Sequence, residues 1–184
     1  MDERRMALEE AFFARHNDAL LASLREADQK KTARGALAAA SGISDEAVLD
    51  RLLALGLGAE TLAALTLVPL VLVAWADGTL SSEERSAVLA GAHKAGVEAG
   101  GLGHKLLEQW LAGPPAPALS EAWKAYTGAL VGGLAAEQRH ALRDALLGQA
   151  RAVADAAGGF LGLGDRVSAA ERKVLHELAE AFGS

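Results

Sequence analysis

The sequence predicts an all-α protein of eight or nine helices, and three features support that class. Ala occurs 42 times and Leu 31 times among the 184 residues, and both are strong helix formers. The β-branched and aromatic residues that strands favour are scarce, since Val and Ile together number 11 and aromatic residues make up 4%. Apolar residues also recur at the spacing that places them on one face of a helix.

Composition limits the function as well as the fold. With 51% hydrophobic residues the chain can bury a core, and without Cys it has no disulfide, thiolate zinc site or cysteine nucleophile. The net charge of −6 argues against nucleic acid as a partner. The longest charge-free apolar run, residues 61–76, is shorter than the ~20 residues of a membrane span. We therefore expect a cytoplasmic protein with no membrane span, and no catalytic constellation points to an enzyme.

Residues 1–34 are predicted to form a charged, amphipathic helical arm that precedes a helical domain over 35–184. Seven acidic and seven basic residues cancel within 2–34, so the rest of the chain carries all of the net charge. An apolar stripe covers the first six turns, and it consists of Leu8, Phe12, Phe13, Leu20, Leu21 and Leu24. Such a stripe either covers the protein's own core or binds a protein partner. The candidate partner contacts are Phe12, Phe13, Leu20 and Leu24.

The remaining helices follow in order along the chain. A helix buried on all sides is predicted over 59–76, with a kink at Pro69, because proline lacks an N–H and clashes one turn back. A Pro-rich break at 113–117 divides the domain. The other predicted helices lie over 32–40, 44–55, 82–95, 102–111, 119–130, 134–160 and 167–182.

Two segments, 76–85 and 163–172, resemble each other. Each has a turn, an apolar residue, a Ser, and then Glu-Arg three and four positions later. In both, Ser-x-x-Glu is the pattern of a capping box, formed by Ser81 with Glu84 and by Ser168 with Glu171. The similarity predicts an internal pseudo-repeat of two helix–turn–helix halves.

The first of these turns, Asp77-Gly78-x-Leu80-Ser81-x-x-Glu84, lies between a strongly apolar helix and an amphipathic one. In this it resembles the tellurite-resistance TerB-like helical family, over residues 59–184. The resemblance implies an all-helical bacterial module of stress-response complexes that acts by interaction and not by catalysis. It also implies a divalent cation, calcium or magnesium, near the acidic turns.

By that resemblance, the candidate metal ligands are Asp77, Glu84, Asp165 and Glu171. The second copy departs from the pattern, because Gly164 stands at the position that corresponds to Asp77 and Asp165 follows one residue later. Capping and turn geometry alone also account for these residue types. Metal binding and pure capping therefore both stay open at this point.

The N-terminal stretch has a fainter resemblance of its own, over residues 1–50. The segment Glu9-Glu10-Ala11-Phe12-Phe13-Ala14-Arg15-His16-Asn17-Asp18 is similar in style to the small inhibitor subunit of the α-proteobacterial rotary ATP synthase. This resemblance implies an alternative function, a regulatory protein that inhibits an ATPase through its N-terminal helix.

Overall fold

A computed structural model describes residues 2–158 and 167–183, with side chains described over 21–156 and 167–183. Over these residues the chain forms nine α-helices and one short 3-10 turn, with no strand. The all-α prediction is therefore confirmed for this part of the chain. The elements are α1 (Asp2–Ser41), α2 (Glu46–Ala54), the 3-10 turn η1 (Ala59–Thr61), α3 (Leu62–Leu65), α4 (Val68–Ala74), α5 (Ser82–Lys94), α6 (Leu102–Leu111), α7 (Pro117–Val131), α8 (Ala136–Gly158) and α9 (Ala169–Glu180).

Helix α1 is a single helix of 40 residues. The prediction of a separate helix over 32–40 is wrong, because that segment is the last part of α1. Residues 25–34 are poor in apolar side chains but rich in helix formers, and the one internal glycine, Gly35, costs only about 1 kcal/mol of helix propensity. The helix ends at Ser41, and Gly42 after it has a φ of 72°, in the left-handed region that favours glycine.

The predicted buried helix over 59–76 is divided into three elements, and this part of the prediction is wrong. Helix α3 ends at Leu65, and α4 begins at Val68 with Pro69 in its first turn. Proline is tolerated there because its missing N–H has no intrahelical partner to lose. The burial is as predicted, since six of the seven residues of α4 are buried. No helix among the described residues is both long and apolar enough to cross a bilayer.

Helix α4 forms the centre of the core and packs against α5, α7, α8 and α9. The largest buried side chains, Trp123 of α7 and Phe182 after α9, meet edge to face with ring centroids 6.0 Å apart. Helix α6 packs on α3 and η1, while α1 packs on α2, η1 and α3. The predicted Pro-rich break is the loop between α6 and α7, with Pro117 as the first residue of α7. Among the side chains of α1 that are described, residues 21–41, the buried one is Leu37, in the last part of the helix.

Candidate functional site

The first acidic turn joins α4 to α5 and ends in the predicted capping box. The Ser81 backbone N–H and hydroxyl both donate to Glu84 Oε2, at 2.8 and 2.7 Å, and the Glu84 N–H donates to Ser81 Oγ at 3.1 Å. Glu84 is only 4% exposed. A buried carboxylate needs such hydrogen bonds, and the positive end of the α5 dipole adds to them. Glu84 therefore acts as a structural cap of α5.

Asp77 lies at the start of the same turn and is exposed. Its Oδ1 accepts hydrogen bonds from the Thr79 N–H and the Thr79 hydroxyl, both at 2.9 Å. Gly78, between them, has a φ of 87°. This is an Asp-Gly turn in which the side chain replaces a backbone acceptor, so Asp77 already has a structural role.

The second turn has the same cap. The Ser168 N–H donates to Glu171 Oε2, and the Glu171 N–H donates to Ser168 Oγ at 3.2 Å. Glu171 is 5% exposed, which matches the burial of Glu84. Asp165 lies outside the described residues. Both predicted capping boxes are therefore confirmed, at the start of α5 and at the start of α9.

Each capping Glu is followed by an Arg that donates to a main-chain carbonyl. Arg85 Nη1 donates to Leu111 O at 3.3 Å, and Arg172 Nη1 donates to Val167 O at 2.8 Å. The indole N–H of Trp75 donates to Trp110 O at 3.1 Å. Trp75 and Arg85 therefore satisfy carbonyls at the end of α6, where the last turn of a helix lacks internal donors.

The metal site remains a prediction. Glu84 and Glu171 each use Oε2 in a cap, and Asp77 uses Oδ1 in its turn. Among the described residues, no group of three or more His, Asp or Glu side chains is arranged to hold an ion. Since Asp165 is outside that part of the chain, the predicted set of four ligands is not seen together.

The second candidate region is the face of α1 that the sequence assigned to a partner. Every residue from 21 to 33 is exposed, and Leu21 and Leu24 are exposed by 42% and 57%. The side chains of the other three predicted contacts, Phe12, Phe13 and Leu20, lie outside those described. The first buried residue of α1 with a described side chain is Leu37. Two apolar side chains of the predicted stripe are thus left uncovered by the body.

An ion-pair clamp that sequence analysis missed fixes α1 on α2. Arg34 Nε and Nη2 donate to the two oxygens of Asp50, both at 2.9 Å, and Arg34 Nη1 donates to Glu46 Oε2 at 3.0 Å. Lys30 Nζ lies 3.2 Å from Asp50 Oδ2. Two bases four residues apart face two acids four residues apart, and this complementary spacing is the signal that could have found the clamp.

The clamp changes the acidity of Asp50. Desolvation by itself would raise the pKa of this carboxyl group. Hydrogen bonds from Lys30 and Arg34, together with their positive charges, outweigh it and hold the pKa of Asp50 below its ordinary value. Asp50 therefore favours its charged form, the form that pairs with the guanidinium of Arg34.

An open groove of about 630 Å³ runs between α1 and α2 beside this clamp. Its α1 wall continues the exposed stripe towards the body and is basic, and its α2 side contributes Glu46 and Leu49. The α1 wall consists of Ala27, Lys30, Lys31, Arg34, Gly35 and Ala38.

Comparison of the chain with models of known protein families, with curated proteins and with solved structures gives no match. The resemblances to the TerB-like family and to the ATP-synthase inhibitor subunit are therefore supported only by the residues named in the sequence. The features that bear on function are the geometry of the two capped turns and of α1.

Proposed function

We propose that this chain is a non-enzymatic, cytoplasmic interaction module that binds a protein partner through the exposed face of α1. The observation that carries the proposal is the exposure of Leu21 and Leu24 on a helix in which no residue from 21 to 36 is buried. Exposed leucines on one helix face are the anchors that helix-in-groove recognition uses. The clamp of Arg34 on Asp50 supports this role, because it fixes the direction in which α1 leaves the body.

We further propose that the domain is TerB-like and contains two related helical hairpins, α4–α5 and α8–α9. Three observations support this. Both hairpins have a buried Glu in a capping box, at Glu84 and Glu171. In both, the next residue is an Arg that donates to a carbonyl. Helices α4 and α8 pack on each other, while α5 packs on α8 and α9 packs on α4, which is the exchange that a pseudo-twofold relation requires.

A divalent cation, calcium or magnesium, at the acidic turns is a subsidiary part of the TerB-like proposal. The exposed Asp77 carboxylate, in the same turn as the buried Glu84, supports it, since carboxylate oxygens are the preferred ligands of both ions. The capping interpretation uses the same residues without an ion. Thermal unfolding with and without the ion separates the two interpretations.

Affinity purification with the tagged full-length chain tests partner binding. We expect the wild-type bait to retain a protein from a lysate of the source organism, and the Leu21→Glu/Leu24→Glu bait to lose it. Leu102→Glu is the matched control, because Leu102 is 55% exposed but lies on α6. A partner that all three baits retain equally would contradict the proposal.

The alternative function is inhibition of an ATPase through the N-terminal helix. A long helix with exposed leucines supports this function as well as it supports binding of another protein partner. It makes a distinct prediction. The full-length chain should lower the ATP hydrolysis rate of the source organism's rotary ATPase, and Phe12→Ala/Phe13→Ala should abolish that inhibition. An unchanged hydrolysis rate at saturating protein would exclude this alternative.

A further inference from the structure

We infer that α1 contains a hinge at Gly35 and that the clamp around Arg34 is an ionic latch that holds this hinge in one position. The inference concerns the conformation of α1 by itself, so it goes beyond the proposed function and does not require a partner. It is supported by the position of Gly35 in the helix, by the different contacts on its two sides, and by the open space around the clamp.

Gly35 is an interior residue of α1 at which neither the backbone nor the packing requires glycine. Its φ is not positive, and a Cβ placed on it would meet no atom within 4 Å outside the neighbouring helix backbone. Alanine would therefore fit at this position and would favour the helix more, because glycine is the weakest helix former after proline. What glycine adds here is backbone freedom, and glycine is among the residues at which long helices bend.

The contacts of α1 differ on the two sides of Gly35. After it, Leu37 is fully buried in the core. Before it, no side chain from 21 to 34 is buried, and the ion pairs of Lys30 and Arg34 tie the helix to α2. If those ion pairs open, Leu37 stays in place, because its exposure would lose apolar burial. The helix before Gly35 therefore moves by bending at Gly35.

Open grooves lie on both sides of the clamp, between α1 and α2. Ala27 and Lys31 line the first groove, of about 630 Å³. Gln29 and Ala33, on the other side of the helix, line the second groove, of about 440 Å³. These two spaces leave room for a sideways swing of the helix once the clamp is open.

The latch is partly exposed to solvent, so dissolved ions can weaken it. Arg34 donates to both oxygens of Asp50 and to one oxygen of Glu46. The side chains of Asp50 and Glu46 are 34% and 77% exposed, and ion pairs at such positions are screened by salt. A rise in ionic strength therefore releases the latch and changes the direction in which α1 presents Leu21 and Leu24.

Distance measurement between two spin labels, by double electron–electron resonance, tests the latch. The natural chain has no Cys, so the labels attach only to introduced thiols. The pair Ser23→Cys/Glu121→Cys spans the hinge, and both residues are exposed. We expect one narrow distance distribution at low salt and a broader one in Arg34→Gln, or in about 1 M NaCl, where the Debye length is about 3 Å. The control Arg25→Gln removes an exposed base outside the clamp and should leave the distribution narrow.

A second substitution tests the hinge. In the Arg34→Gln background, Gly35→Ala should make the distance distribution narrow again, because alanine stabilises the helix at the point where it bends. Gly128→Ala is the matched control. A Cβ on Gly128 also meets no atom within 4 Å, but this glycine lies in α7 between the buried Trp123 and Val131, so its substitution should leave the distribution broad.

A second label pair, Ala40→Cys/Glu121→Cys, lies on the body side of Gly35 and checks that the body stays folded. We expect a narrow distribution for this pair in every variant, and a broad one would mean that α1 leaves as a whole, which overturns the hinge. For the first pair, a broad wild type, a narrow Arg34→Gln, or a distribution that Gly35→Ala does not narrow would also overturn the inference. All of these measurements use the chain alone, so their outcome is independent of whether α1 binds a partner.

Discussion

Removal of the Glu84 carboxylate should destabilise the protein far more than removal of the adjacent Glu83 carboxylate. Glu84 is 4% exposed, and its Oε2 accepts two hydrogen bonds from Ser81. In Glu84→Ala the Ser81 N–H loses its partner in a partly buried position, which together with the lost cap costs about 2–4 kcal/mol. For a chain of this size that lowers Tm by roughly 5–15 °C. Glu84→Gln keeps an acceptor oxygen and should cost about 1 kcal/mol.

Differential scanning calorimetry measures these shifts, with Glu83→Ala as the matched control. Glu83 precedes Glu84 in α5, but it is exposed and accepts a hydrogen bond from the neighbouring Ser82 hydroxyl, so its loss should stay within about 0.5 kcal/mol. Equal Tm values for Glu83→Ala and Glu84→Ala would refute the capping argument. The same scans with millimolar Ca²⁺ or Mg²⁺ test the metal proposal. If an ion binds, it should raise the Tm of the wild type but not that of Glu84→Gln or Asp77→Asn. A wild-type Tm that neither ion changes would exclude metal binding.

Three other changes have outcomes that the structure determines. Gly91→Ala should destabilise the protein by about 1–2 kcal/mol in urea unfolding, because the new Cβ would lie 2.6 Å from Cδ2 of the buried Leu70. The control Gly128→Ala places its Cβ in open space and should be neutral or stabilising. A larger loss of stability in Gly128→Ala than in Gly91→Ala would contradict this packing. Phe182→Ala should cost about 3–5 kcal/mol, since it removes the ring that packs on a buried Trp, and a loss below about 1 kcal/mol would refute its place in the core. Because the pKa of Asp50 is lowered in the folded state, the charged carboxylate stabilises the fold above its ordinary pKa of 3.8, and this stabilisation disappears as the pH falls through the lower folded value. The Tm difference between wild type and Asp50→Asn should therefore be constant near neutral pH and shrink below about pH 4. A difference that grows towards low pH would contradict the sign.

The features that the sequence predicted best are local ones. Both capping boxes join residues three positions apart, so their partners can be identified without knowledge of the fold. The break between α6 and α7 is equally local, because its prolines exclude helix at that point. The helical class follows from composition for the same reason, since propensity acts residue by residue.

Features that depend on tertiary partners were missed or misplaced. The clamp joins Arg34 to Asp50, sixteen residues away across a turn, and its pairing depends on how α1 meets α2. At Pro69 the sequence correctly indicated an irregularity, but the structure resolves it by starting a new helix and not by a kink. Whether the chain kinks or starts a new helix at Pro69 depends on the packing around α4, which cannot be read from a single sequence.

The same distinction explains what the two candidate regions can do. In the acidic turns, the three carboxylates that the structure describes, Asp77, Glu84 and Glu171, each accept a hydrogen bond within their own turn, so each already has a structural reason to be there. Helix α1 is the opposite case. An isolated helix is marginal in water, and residues 21–33 contribute no buried side chain, yet they keep Leu21 and Leu24 exposed on a continuous helix. Apolar area that the fold leaves uncovered is stabilised only when another surface covers it. For that reason we propose that α1, and not the turns, binds the partner.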